Sequence, residues 1–87
     1  MGWRVEQAEK FRQQVERWSD AERVILANGC QALLRGGPLP GSSTLLVRQI
    51  RDQRAGESYA VEFPRIVIGY QVLGEAIVVQ WAEITRA

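Results

Sequence analysis

Three arginines fall within seven residues of this chain, Arg48, Arg51 and Arg54 in "VRQIRDQR", and a fourth, Arg65, follows Pro64 in "EFPRIVI". A guanidinium is a planar fork that grips phosphate or carboxylate at two points. Clustered arginines neutralise a nucleic-acid backbone, with an affinity that falls as salt rises. Whether these cluster depends on the backbone. In a strand, Arg48 and Arg51 face opposite sides; in a curled turn they converge toward Arg65. The same charges also suit a solvated edge strand that discourages pairing with other chains.

Arg65 is the best placed of the four to contact a phosphate or the charge that develops in a transition state. It is equally able to pair with Glu62 or Glu57 across a sheet. Glu62 becomes a general base where an RNA 2′-hydroxyl comes within hydrogen-bond reach. Tyr70 falls with Ile66 and Ile68 under strict alternation, as a core tyrosine with its hydroxyl at the rim. A bulge at Gly69 would instead turn it outward. Trp3, Trp18 and Trp81 are either stacking platforms for bases or core residues. The apolar spacing around Trp18 and Trp81 favours the core, and Trp3 is less constrained.

Other chemistry is excluded by composition. The chain has no histidine, so catalytic triads, histidine acid–base catalysis and histidine metal sites do not arise. Cys30 is the single cysteine; it can form no internal disulfide and reads as a small buried hydrophobe. No metal or cofactor is expected. The Gly-rich "GGPLPGSS" follows a helix and lacks the lysine of a phosphate loop, so it is a connector.

These residues must be positioned by a small fold. Eighty-seven residues, 46% of them hydrophobic and 24% charged, suit one domain over 1–87 with a single core. Net charge is only +1, although ten of the eleven basic residues are arginine. No apolar run approaches the roughly 18 residues of a membrane span, and the N-terminus has no apolar signal core. The expected location is cytoplasmic.

From about Glu6, Ala8, Phe11, Val15 and Trp18 recur three or four apart, one face of an amphipathic helix. Ser19 with Glu22 makes a capping box that starts a second helix. Ala21, Val24, Ile25, Ala32 and Leu33 continue it at helical spacing until "GGPLPG" ends it. "LLVRQIR" at 45–51 reads as a strand. "SYAVEF", "RIVIGYQV" and "AIVVQWAEI" then alternate with period two, the last placing Ile77, Val79 and Trp81 on one face. "WRV" at 3–5 is a short strand or the run-up to the first helix. The predicted fold is α+β: a helical hairpin packed on one face of a three- to four-stranded antiparallel sheet.

This order of elements, with "LLRGGPLPGSS" after the second helix and "YAVEF…IVIGYQVLGEAIVVQW" toward the end, resembles the RelE/ParE superfamily of type II toxin–antitoxin toxins. The resemblance extends over nearly the whole chain. It implies a RelE/ParE-like fold and one of two activities: an RNA-binding mRNA interferase acting at the ribosome, or an inhibitor of DNA gyrase. It also implies an antitoxin partner laid across the sheet or along the helical hairpin. On the interferase reading, the catalytic candidates are Arg65, Tyr70 and Glu62. Arg48, Arg51, Arg54 and Arg86 are the candidates for binding nucleic acid or target. Val67 stands where the family pattern has an arginine three residues before Tyr70, and Arg65 is the nearest substitute. Ile84-Thr85 stand where nucleases of the family carry a C-terminal basic–aromatic pair, and Arg86 is the one arginine near the end. The alternative is a non-catalytic protein-interaction module of the same fold that has lost the toxic site. A homodimer through sheet edges is a further possibility.

Overall fold

The computed structural model describes residues 2–41, 45–52 and 56–85, without the side chains of 51, 52, 56 and 57. In chain order the elements are β1 (Arg4–Gln7), α1 (Glu9–Val15), α2 (Asp20–Gly36), β2 (Val47–Asp52), β3 (Gly56–Glu62), β4 (Ile66–Leu73) and β5 (Ala76–Ile84). The fold is α+β, as the sequence predicts. Among the described residues, however, the sheet has five strands in the order β1-β5-β4-β3-β2. It is mixed rather than antiparallel, because β1 runs parallel to β5, with Arg4 opposite Ala76 and Gln7 opposite Val79. The expectation of three or four antiparallel strands is corrected on both counts. "WRV" is ambiguous in the sequence because three residues carry too little period to separate a strand from a helix start; the strand that forms is Arg4–Gln7.

The first helix is shorter than its apolar spacing suggests. Ala8 is still tied to the sheet, its N–H donating to the Val79 carbonyl at 2.9 Å, so α1 begins only at Glu9. Phe11 is buried and meets Trp18 edge-on, with ring centroids 5.9 Å apart. The capping box at α2 forms as expected: Ser19 Oγ accepts from the Glu22 N–H at 3.2 Å, and Glu22 Oε1 accepts from the Ser19 N–H at 2.9 Å. Arg23 closes the hairpin by donating to the Val15 and Glu16 carbonyls at 3.2 and 2.8 Å. Glu16 is the C-cap of α1 and its carbonyl lies past the helix's own bonds, while the Val15 carbonyl also accepts from the Trp18 N–H at 3.0 Å.

The helices cover one sheet face. Leu26 and Leu33 of α2 pack with Phe11, Ile66, Ile68, Ile77 and Val79. The approach is close at Gly29, where a Cβ would lie 2.9 Å from Ile68 Cδ1 and 3.2 Å from Ile66 Cγ2. The buried stripe of α2 is thus Leu26, Gly29 and Leu33, not the set through Ala21, Val24 and Ala32; Val24 is 57% exposed.

Strand β5 carries a β-bulge. Gly69 faces Trp81 but the next residue, Tyr70, faces Val79, so Gln80 has no opposite number. Ile77 and Val79 lie inward before the bulge, Ala82 and Ile84 pack inward after it, and Trp81 turns to the outer face. This corrects the placement of Trp81 beside Ile77 and Val79. Its indole occupies the space where a Gly69 side chain would stand. The β4–β5 turn has φ 61° at Gly74 and no positive φ at Glu75, a pattern suited to a two-residue hairpin with glycine first.

Two substitutions test this packing. Phe11→Ala should cost about 3–5 kcal/mol in urea unfolding, as for a buried aromatic; a loss below about 1 kcal/mol would place Phe11 at the surface. Gly69→Ala should expel the Trp81 ring, giving a red-shifted, more readily quenched emission in a Trp3→Phe, Trp18→Phe background. Unchanged emission would mean that the ring does not rest on Gly69.

Candidate partner-binding groove at Arg65

Phe63, Pro64 and Arg65 make the turn between β3 and β4. The Phe63 N–H donates to the Ile66 carbonyl at 2.8 Å, and the Arg65 carbonyl accepts from the Thr85 N–H at 2.9 Å. This anchors the backbone of Arg65 to the end of β5 while its side chain stays exposed. Between the turn and α2 runs an open groove of about 600 Å³, walled by Ala21, Val24, Ile25, Asn28 and Ala32 on the helix and by Phe63–Ile66 on the other side. A second, more polar hollow of about 780 Å³ continues past Arg65 to Ser19, Glu22, Ile84 and Thr85. Arg65 therefore stands between an apolar groove and a polar one, and it makes no ion pair among the described residues.

The groove exists because α2 is apolar over too wide an arc. Ala21, Val24, Ile25, Asn28 and Ala32 repeat at intervals of three and four, a stripe beside the one that meets the sheet. The signal was present in the sequence: Leu26, Gly29 and Leu33 already supply a full core stripe, and Ala21, Val24 and Ala32 are surplus to it.

The other candidate residues do not join Arg65. Glu62 is exposed on β3 opposite Val67, and this register puts it on the outer face of the sheet. Tyr70 lies in the core at 1% exposure. Its hydroxyl is not at a rim but donates to the Pro38 carbonyl at 2.7 Å, and its ring lies 5.8 Å from that of Tyr59. The bulge beside Tyr70 displaces Gln80 and leaves the tyrosine inside. Burial, with a smaller contribution from Tyr59, pushes the Tyr70 hydroxyl well above its ordinary value. A hydroxyl so placed neither meets a substrate nor gives up its proton near neutral pH. The three catalytic candidates thus fall in a turn, on an outer face and in a core.

Arg48 is exposed on β2 opposite Ala60, two strands from β4 in the sheet. The segment is a strand, not a curl, and Arg48 forms no cluster with Arg65. Arg51 is opposite Glu57 in the same register; its side chain, Arg54 and Arg86 lie outside the described residues. On the outer face, Gln80 Nε2 donates to Gln71 Oε1 at 3.3 Å and Gln71 Nε2 to Ser58 Oγ at 3.4 Å. Arg4 pairs with Glu6 at 2.7 Å. Among the described residues no helix is long and apolar enough to cross a membrane.

Two titratable groups shielded from water give the fold an alkaline limit: Tyr70 in the core, and Cys30, which is partly buried rather than fully buried as the sequence suggests. Burial pushes the Cys30 thiol up from 9.0 to about 11, and Tyr70 moves the same way. Both shifts favour the protonated form in the folded chain. Their contribution is complete below the unfolded values, about 9 and 10, and is lost as pH rises above them. Stability should therefore decline above about pH 9, and Tyr70→Phe should flatten the part above pH 10. The same substitution should cost about 1–3 kcal/mol at pH 7, by leaving the Pro38 carbonyl without its donor. Urea midpoints at pH 7 and 11 would measure both effects, and an unchanged midpoint at pH 7 would remove the role given to this hydrogen bond.

Compared with family models, curated proteins and solved structures, the chain has no match.

Proposed function

We infer that this chain is a non-catalytic protein-interaction module, and that the groove beside Arg65 takes an apolar segment of a partner protein. The observation that carries this reading is the groove itself: Val24 exposed at 57% beside a cation with no ion-pair partner among the described residues. A segment with an apolar face and a carboxylate near its end would bury the first against Val24, Ile25 and Phe63 and offer the second to Arg65. Charge-assisted pairing of this kind adds orientation as well as affinity. A volume of about 600 Å³ has room for several side chains, and pockets of this size are ordinary ligand sites.

The second reading is the toxin of a RelE/ParE-like pair. Two helices on one face of a sheet that ends in an Ile/Val-rich strand support it. The separation of Arg65, Glu62 and Tyr70 weighs against the interferase branch, so gyrase inhibition is the toxic activity that suits this geometry better. An antitoxin would then be the groove's partner.

Induced expression in a bacterial culture separates the readings. An interaction module leaves growth normal and creates no new RNA 5′ ends; growth arrest with new RNA ends would overturn it. For the groove, a photo-crosslinking amino acid at Val24 should capture a partner that the same residue at exposed Leu73 does not, and Arg65→Glu should abolish the capture. Equal capture at both positions would remove the groove from the proposal.

A further inference from the structure

We propose that the segment taken by the groove beside Arg65 is an amphipathic α-helix of about three turns, seated antiparallel to α2 with its acidic C-terminal end at Arg65; this rests on the reading of the groove as a partner site. The walls decide the conformation of the occupant. Among the described residues the free edges of the sheet are β1 and β2, and neither contributes to the lining, which comes from α2 and from the turn between β3 and β4. In that turn Phe63 and Ile66 bond to one another, N–H to carbonyl in both directions, at 2.8 and 3.4 Å. Pro64 has no N–H, and the Arg65 carbonyl is taken by Thr85. Asn28 and Arg65 are the polar side chains of the wall. A bound strand would find no ladder to join, and the backbone groups it turned inward would lie unpaired against apolar surface. A helix pairs its own backbone and presents side chains alone, so it is the occupant that these walls accept.

From Ala21 to Ala32 the helical wall extends about 16 Å, the length of three turns. A partner helix with apolar residues at i, i+3, i+4 and i+7 covers it. Charge sets the direction. Arg65 stands at the first turns of α2, in the hollow that it shares with Ser19, Ala21 and Glu22. The charges beside it are engaged: Glu22 Oε1 accepts from the Ser19 N–H at 2.9 Å, and Asp20 lies 3.9 Å from Arg23. Arg65 has no ion-pair partner among the described residues, and the positive pole of α2 is at the same end. A helix ends in unpaired carbonyls and a negative pole. With that end at Arg65, and Asp or Glu in its last turn, the partner meets opposite charge and runs antiparallel to α2. The reversed helix would bring its positive pole to Arg65.

Selection from two displayed pools of peptides about twelve residues long tests the proposal. One pool is patterned with apolar residues at helical spacing and the other with strict alternation, each with acidic residues at random positions. The helical pool should yield binders that carry Asp or Glu in the last turn and gain helical circular dichroism on binding the folded chain. Val24→Asp, at an exposed position, and Arg65→Glu should each weaken them roughly tenfold or more. Circular dichroism and urea midpoints show whether each variant is folded. On the wild-type chain, a nitroxide at the C-terminus of the bound peptide should broaden the amide signals of Ser19 and Thr85, and one at its N-terminus that of Ala32. Broadening in the reverse order overturns the direction. Binders from the alternating pool that broaden the same signals overturn the helix and leave the groove as a partner site. No binder from either pool, or binders that broaden neither end of the groove, overturns the groove and the helix together.

Discussion

One surplus residue in β5 decides how the sheet divides inside from outside. With Gln80 bulged out, Ile77 and Val79 before it and Ala82 and Ile84 after it all reach the helices. Without the bulge, alternation would send Trp81 inward and Ala82 outward, and the core would have to accept a far larger side chain. The consequence is carried across the sheet. Trp81 on the outer face needs a flat place to lie, and Gly69 opposite it provides that place. Ala60, next in the same row, is buried although it too lies on the outer face.

A second constraint is the close contact of α2 with β4. Gly29 lets the helix backbone come down onto Ile66 and Ile68, and nothing larger fits without displacing them. A helix held this close by one narrow stripe leaves its neighbouring apolar stripe uncovered. The groove beside Arg65 thus follows from the tightness of the core. The buried surface of α2 ends where Gly29 sets it, and Ala21, Val24 and Ala32 lie beyond.

Much of this was legible in the chain. The capping box at Ser19, the helix end at "GGPLPG" and the late strands are local signals, and each formed within a few residues of its expected place. What could not be read was non-local. Nothing near Arg4 announces that its partner is Ala76. Period two continues through "AIVVQWAEI" without marking the bulge, because Gln80 looks like any outward residue. The site was legible only in Arg65. Glu62 and Tyr70 are close to it in sequence, but the turn at Pro64 and the alternation of β4 send them to different environments. Val24 could not be separated from the core stripe, because the helix offers two apolar stripes here and spacing alone does not say which one meets the sheet.

The pairing of β1 with β5 also bears on how the chain comes together. The first strand finds its neighbour in the last, so during synthesis residues 4–7 have no partner until residue 79 has been made. The α-hairpin and the meander of β2 to β5 can assemble from contacts near in sequence, whereas β1 must close a loop that contains all of them. Contacts of such long range are the slow ones in folding. Until β1 docks, the outer side of β5, with Ile77 and Val79 in its row, is an open sheet edge. The nascent protein thus passes through a stage in which a strand that supplies Ile77 and Val79 to the core has an open edge, and the four residues of β1 act as its cover.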